Sequence, residues 1–185
     1  MDSASIQTVT LTCHPVTPTD AVHRIDARVG RTREGTLKIE YDLHADLKRL
    51  RVPPPAAPRI VDGLWRHTCF ELFVRRENAA AYHEFNFSPS GAWAAYAFER
   101  YRAGALLAEE TLDPRVTSRF SATTLALSAA VPLERVSPLY ASAKLSLAIS
   151  AVIETSEGTL SYWALRHPAG KPDFHHADGY AIDLI

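Results

Sequence analysis

The chain is short of the residues that staple small proteins together. Its 185 residues include two cysteines, Cys13 and Cys69, too few for a disulfide framework at this size. Met1 is its single methionine. Neither sign of charge is in excess. Twenty Lys and Arg against 21 Asp and Glu leave a net charge of −1, which removes the electrostatic case for wrapping nucleic acid. No apolar run approaches the ~18 residues of a membrane span, and the longest, 145–153, is broken by Ser146 and Ser150. The first 13 residues carry neither a basic n-region nor an apolar h-region. The expectation is a cytoplasmic protein with reduced thiols and no membrane partner. Also missing are a Gly-x-Ser-x-Gly elbow, a phosphate loop, a dinucleotide fingerprint and a Cys-x-x-Cys pair. Hydrophobic residues at 46% and charged residues at 22% exclude disorder, and the length predicts one domain over 1–185.

What is present is period-two alternation. Residues 37–43 set Leu, Ile, Tyr and Leu against Lys, Glu and Asp, the mark of a half-buried strand. The same pattern runs through 124–131 and 145–153. Shorter candidates lie at 8–12, 24–29, 161–165 and 180–184. Helical signals are few: 21–29 and 103–110 each suggest a turn or two, and 133–136 a short turn. Three prolines in a row at 53–55, with a fourth at 58, cannot join a ladder. They read as a stiff surface loop or, alternatively, as a polyproline II ligand for a partner. Many short strands without βαβ alternation predict an all-β fold, a sandwich or barrel.

Residues 62–102 carry the densest information. Three antiparallel strands are expected at 68–75, 82–88 and 93–98, with a turn at 88–91. Phe70, Leu72 and Val74 share a core face with Phe85 and Phe87. The opposite face carries Cys69, Glu71, Phe73 and Arg75, then Tyr82, Glu84, Asn86 and Ser88. Placing Ser88 opposite Trp93 would add Trp93, Ala95 and Ala97 to that polar face and send Tyr96 and Phe98 into the core. A one-residue slip inverts this last assignment. Carboxylates, an amide and a Trp beside small residues make a small-ligand site, or else a solvated outer face. Glu71 and Glu84 fall on a diagonal ~7–8 Å apart. They suit acid and base in glycoside hydrolysis, sugar or cation binding, or plain ion pairs with Arg66 and Arg75.

A second dense patch is 162–176, with His167, Asp173, His175 and His176. These residues offer metal ligands by type, though the spacing matches no motif. The alternative is a loop pinned by histidine and aspartate hydrogen bonds. Cys69 near His67 is a nucleophile candidate or, more simply, a buried thiol.

The run Gly63-Leu-Trp-Arg-His-Thr-Cys-Phe-Glu-Leu-Phe-Val74, the run Tyr82-His-Glu-Phe-Asn-Phe-Ser-Pro-Ser-Gly-Ala-Trp93, and the ending Trp163 to His176 resemble bacterial DOMON-like proteins. Those proteins are similar to carbohydrate-binding module family 9. The resemblance implies an immunoglobulin- or jelly-roll-like β-sandwich of about ten antiparallel strands, usually non-catalytic, that binds sugar or haem. It implies a saccharide-like ligand held by tryptophan stacking and polar contacts. By the Trp-x5-Glu motif, Trp65 and Glu71 match one sugar-stacking Trp and a polar group, and Trp163 matches the second Trp. With Arg66 beside Trp65, and Glu84, Asn86 and Trp93 added from the face argument, these form the expected site. A resident cofactor is not expected. The alternatives are haem or a divalent metal on His167, His175 or His176, and a sugar-active enzyme using Glu71 and Glu84. A Met–His haem pair is disfavoured because Met1 stands alone.

Overall fold

The computed structural model describes residues 6–185, so Met1 and the start of the leader reading lie outside the described residues. Twelve strands form two packed antiparallel sheets. They are β1 (Gln7–Cys13), β2 (Val22–Arg31), β3 (Thr36–Ala45), β4 (Cys69–Arg76), β5 (Tyr82–Phe87) and β6 (Trp93–Arg100). Then follow β7 (Ala103–Leu106), β8 (Arg115–Phe120), β9 (Thr124–Pro132), β10 (Leu145–Glu154), β11 (Leu160–Ala164) and β12 (Ile182–Leu184). One sheet runs β1-β2-β3-β9-β8. The other runs β7-β6-β5-β4-β10-β11, with β12 pairing the start of β10. Strand β1 belongs to both: Gln7–Leu11 pair with β2, whereas Thr12 and Cys13 pair with β11. It closes one side of the sandwich.

The inner faces follow from alternation. Ile25, Ala27 and Val29, then Leu37, Ile39, Tyr41 and Leu43, then Leu125, Leu127 and Val131 are buried from the first sheet. Phe70, Leu72, Val74, Phe85, Phe87 and five alternate residues of β10 meet them from the second. Tyr41 is fully buried, and its hydroxyl satisfies itself across the sandwich by donating to the Glu71 carbonyl at 2.7 Å.

Ten of the twelve strands fall where alternation predicts them. The two others are edge strands. Residues 103–106 form β7 rather than a helical turn, and β8 carries weak alternation that masks it. The 21–29 helical signal also resolves to strand, in β2. Gly104 shows why β7 tolerates its sequence: a Cβ there would lie 2.1 Å from the Ala97 carbonyl oxygen and 2.6 Å from the Phe98 ring. Glycine lets that ring lie over the neighbouring strand.

The β4–β5 register is the expected one, with Arg75 opposite Tyr82, Phe73 opposite Glu84 and Glu71 opposite Asn86. The β5–β6 register is slipped by one residue. Phe87 pairs with Trp93, because Ser88 closes the turn by donating its amide to the Ala92 carbonyl, and Gly91 takes the left-handed conformation that shortens it. Faces invert accordingly. Trp93 and Ala95 enter the core; Tyr96 and Phe98 stand on the outer face.

Candidate functional site

The outer face of the second sheet does not face bulk water. Residues 165–181 fold back across it. Three anchors hold this cover. His167 Nε2 lies 2.8 Å from the Thr12 carbonyl. Asp173 accepts from the Tyr101 hydroxyl at 2.5 Å, from Arg102 Nη2 at 2.8 Å and from the His175 amide at 3.1 Å. The Tyr82 hydroxyl pairs with His175 Nδ1 at 2.8 Å while accepting from the Arg102 amide at 3.1 Å. Arg102 sits at a tight turn with φ of 54°, a left-handed backbone that costs a side-chain-bearing residue about 1–2 kcal/mol and is held there by these contacts. The pinned-loop reading of 162–176 is the one the structure bears out for His167 and Asp173.

Between cover and sheet lies a cleft of about 320 Å³. Glu71 and Glu84 stand at its floor. Tyr96, Phe98 and Trp65 line it from the β6 side and the 64–66 turn; Val152, Tyr162, Pro172 and Phe174 line it from β10, β11 and the cover; Arg102 and His175 complete it. The volume is within the range of small-molecule sites, and the lining mixes aromatic surface with a few convergent polar groups.

Trp65 is 46% exposed, unusual for a residue so apolar. The short 3₁₀ turn Leu64–Arg66 that carries it is pinned on both flanks. The Tyr96 hydroxyl donates to Asp62 at 2.7 Å and accepts from the Gly63 amide at 3.2 Å. Beyond it, His67 Nδ1 lies 2.8 Å from Glu154, which also holds Arg51 at 2.8 Å. Gly63 has φ of 75°, which favours glycine. The backbone turn that carries the exposed indole is therefore fixed on both sides.

The carboxyl pair is the electrostatic centre. Glu71 is 2% exposed and Glu84 5%. Ser150 Oγ donates to Glu71 at 3.3 Å, and Asn86 Nδ2 donates to Glu84 at 2.8 Å. Burial, then the neighbouring Glu84 charge, pushes the Glu71 carboxyl well above the usual carboxylate range, against the Ser150 hydrogen bond. Burial raises Glu84 to about 7, offset in part by Asn86 and by the Arg102 charge. His175 Nε2 stands 3.6 Å from Glu84, yet burial and the Arg102 charge lower this imidazole to about 4. At neutral pH it is a neutral partner, not a countercharge.

Of the seven expected site residues, the structure brings three together directly: Trp65, Glu71 and Glu84 line the cleft. Asn86 is fully buried behind them and orients Glu84. Arg66 is exposed, with its guanidinium over the Trp65 ring at 5.0 Å, and Arg75 stacks on Tyr180 at 3.9 Å, so neither pairs with the carboxyls. Two tryptophans do not belong. Trp93 is in the core for the register reason above. Trp163, opposite Ala151, also points inward, and its Nε1 donates to Ser161 Oγ at 3.0 Å. The outward aromatic of β11 is its neighbour Tyr162, opposite Val152.

Cys69 is a buried thiol, raised well above its ordinary value by burial and by the Glu71 and Glu84 charges, the opposite of an activated nucleophile. His167, His175 and His176 have separate partners, and among the described residues no three His, Cys, Asp or Glu side chains group as metal ligands would. The proline loop lies along the β5–β6 turn, where the Ala56 amide donates to the Ser90 carbonyl at 2.8 Å.

No protein-family model matches the chain, and no curated protein matches its sequence. Solved structures do match. A candidate carbohydrate-binding protein from Bacteroides uniformis superposes with a TM-score of 0.67 at 12% identity, over 96% of this chain and 84% of that one. A family 9 carbohydrate-binding module from Caldicellulosiruptor kristjanssonii, solved in complex with glucose, superposes with a TM-score of 0.53 at 9% identity, over 88% and 76%. The fold is a family-9-like β-sandwich. The family 9 resemblance read from the sequence thus holds at the level of fold. At these identities the likeness carries the β-sandwich fold alone.

Proposed function

We propose that the chain binds a small saccharide in this cleft without turning it over. Trp65 and the aromatic lining would pack against the apolar face of a sugar ring. Glu71 and Glu84 would hydrogen-bond its hydroxyls, one carboxyl protonated and donating, the other ionised and accepting. The observation that carries the reading is an exposed tryptophan, on a pinned turn, at the mouth of a cleft floored by two buried carboxyls. A glucose complex of the family 9 module from Caldicellulosiruptor kristjanssonii supports the ligand class. Aromatic burial would supply most of the affinity and the carboxyls the orientation.

The test is calorimetric titration and thermal shift of the purified protein with mono- and oligosaccharides, beside Trp65→Ala. A ligand at 100 times its Kd adds about 2.7 kcal/mol. The proposal expects at least one sugar to bind and Trp65→Ala to abolish that binding while folding stability falls little. A flat panel, or binding unchanged in Trp65→Ala, would overturn it. The raised carboxyl pair favours one rival reading, glycoside hydrolysis. Product release from aryl glycosides, lost in Glu71→Gln, would replace binding by turnover.

A further inference from the structure

The floor of the cleft is rich in acceptors and poor in donors. Among the described residues, the Glu71 carboxyl receives only the Ser150 hydroxyl, at 3.3 Å; Glu84 receives Asn86 at 2.8 Å and has His175 Nε2 at 3.6 Å. Behind them Asn86, directly opposite Glu71, supplies its amide to Glu84, and its buried Oδ1 has no hydrogen-bond partner. Arg102, the permanent cation among the described lining residues, is committed elsewhere. Its Nη2 donates to Asp173 at 2.8 Å and its Nε to the Tyr101 hydroxyl at 3.2 Å. The Arg102 charge is felt by Glu84, but its donors go to Asp173 and Tyr101, and among the described residues neither glutamate has an arginine or lysine as an ion-pair partner. Elsewhere in the molecule, buried carboxylates are treated differently: Glu154, 4% exposed, has both Arg51 and His67 at 2.8 Å.

A hydroxyl-only ligand would give this floor hydrogen bonds but no charge. An ammonium group gives three donors and a positive charge in one small head, matching two buried carboxylates. The aromatic lining adds to the fit, since ring faces attract desolvated cations. We propose that the saccharide taken by this cleft is an amino sugar, with its free primary ammonium seated between Glu71 and Glu84. The proposal rests on the saccharide reading above. N-acetylation, which removes the charge and adds bulk, should be rejected.

The experiment is isothermal titration at pH 6.5 with D-glucosamine, D-glucose, N-acetyl-D-glucosamine and cyclohexylamine, in two buffers of different ionisation enthalpy. Glucosamine should bind about tenfold or more tighter than glucose and N-acetylglucosamine. Its binding should release protons, as the ammonium ionises a partly protonated carboxyl pair; the other groups that face the pair, His175, lowered to about 4, Arg102, and the raised Cys69, Tyr82, Tyr96 and Tyr180, keep their protonation at pH 6.5. Glu84→Gln should erase the preference for glucosamine over glucose, and Glu71→Gln provides the same readout should the first variant misfold. Equal affinity for glucose and glucosamine would overturn the amino-sugar proposal and leave the saccharide reading standing. Cyclohexylamine binding as tightly as glucosamine, with neutral sugars silent, would overturn the saccharide reading and keep only the ammonium seat. No heat with any of the four would overturn both.

Discussion

The two sheets of this sandwich carry acidic residues on their outer faces and treat them in opposite ways. On the first sheet, Asp26, Glu40 and Asp42 form an open ladder with arginines: Arg24 to Asp26 at 2.6 Å, Arg28 to Glu40 at 2.9 Å and to Asp42 at 3.1 Å, with both arginine side chains about half exposed. On the second, Glu71 and Glu84 lie under a cover, nearly solvent-free, and among the described residues no arginine forms an ion pair with either. The first arrangement is a solvated face whose pairs contribute little each. The second is destabilising unless something else is gained, because a buried carboxylate without a countercharge must either stay protonated or find a partner. One sequence pattern, acidic residues at alternate strand positions, thus marks a surface in one sheet and a site in the other.

The largest expected effects sharpen the contrast between the tryptophans on either side of the second sheet. Trp93→Ala, in the core, should cost about 3–5 kcal/mol of folding stability, whereas Trp65→Ala should cost under about 1 kcal/mol, both read by urea denaturation. Equal losses would mean that Trp65 is structural.

Next in size is the cover. Asp173→Ala removes three hydrogen bonds, two of them from side chains of the β6–β7 turn, and should cost about 1–3 kcal/mol. It should also open residues 165–181 to limited proteolysis before the sheets unfold. Cleavage unchanged from the parent chain would show that the cover is held by something other than Asp173.

The carboxyl pair makes a prediction in pH. A glutamate whose folded value lies near 7 binds more protons folded than unfolded between pH 4.5 and 7, so its contribution to stability falls as pH rises through that window. His175, lowered to about 4, acts with the opposite sign: stability rises with pH between about 4 and 6.5. His83 and His167, also lowered by burial, add to that rise. The parent profile is a sum of opposed slopes, so the informative quantity is a difference. The stability of Glu84→Gln relative to the parent should grow between pH 4.5 and 7, by on the order of 1–3 kcal/mol. A constant difference across that range would place Glu84 in an ordinary solvated environment.

The smallest effect belongs to the first sheet. Arg28→Ala should cost at most about 1 kcal/mol, and less at high salt. A larger, salt-insensitive loss would erase the distinction between the two outer faces.

Much of this contrast was legible in the sequence, and the gaps have physical causes. The β4–β5 pairing, and with it the Glu71–Asn86–Glu84 cluster, follows from apolar alternation at Phe70, Leu72, Val74, Phe85 and Phe87. The β6 faces were not legible, because residues 93–98 place large side chains in both parities and the register hangs on a turn one residue shorter than expected. Trp163 misled for a similar reason: it adjoins Tyr162, and two neighbouring aromatics on a strand leave parity undecided until the partner strand is known. The expected register sends Phe98 into the core, and it comes to the cleft by the slipped one, whereas Arg102 and Phe174 carried no signal for the site. Phe174 enters the cleft, and Arg102 gains its partner Asp173, through the fold-back of 165–181, which depends on contacts such as Tyr101–Asp173, 72 residues apart in the chain.

The three tryptophans supply the most direct test of the central claim, that the covered outer face of the second sheet is where ligand binds. Each gives one indole N–H signal in a ¹H–¹⁵N spectrum, and the three occupy distinct environments: Trp65 at the cleft mouth, Trp93 and Trp163 in the core. The spectrum should be followed while D-glucosamine and D-glucose are titrated in. The Trp65 indole and the amides around Glu71 and Glu84 should shift with ligand, while the two core indoles and the strands β2, β3 and β9 stay in place. Shifts confined to the first sheet, or an unmoved Trp65 signal at saturating sugar, would contradict it.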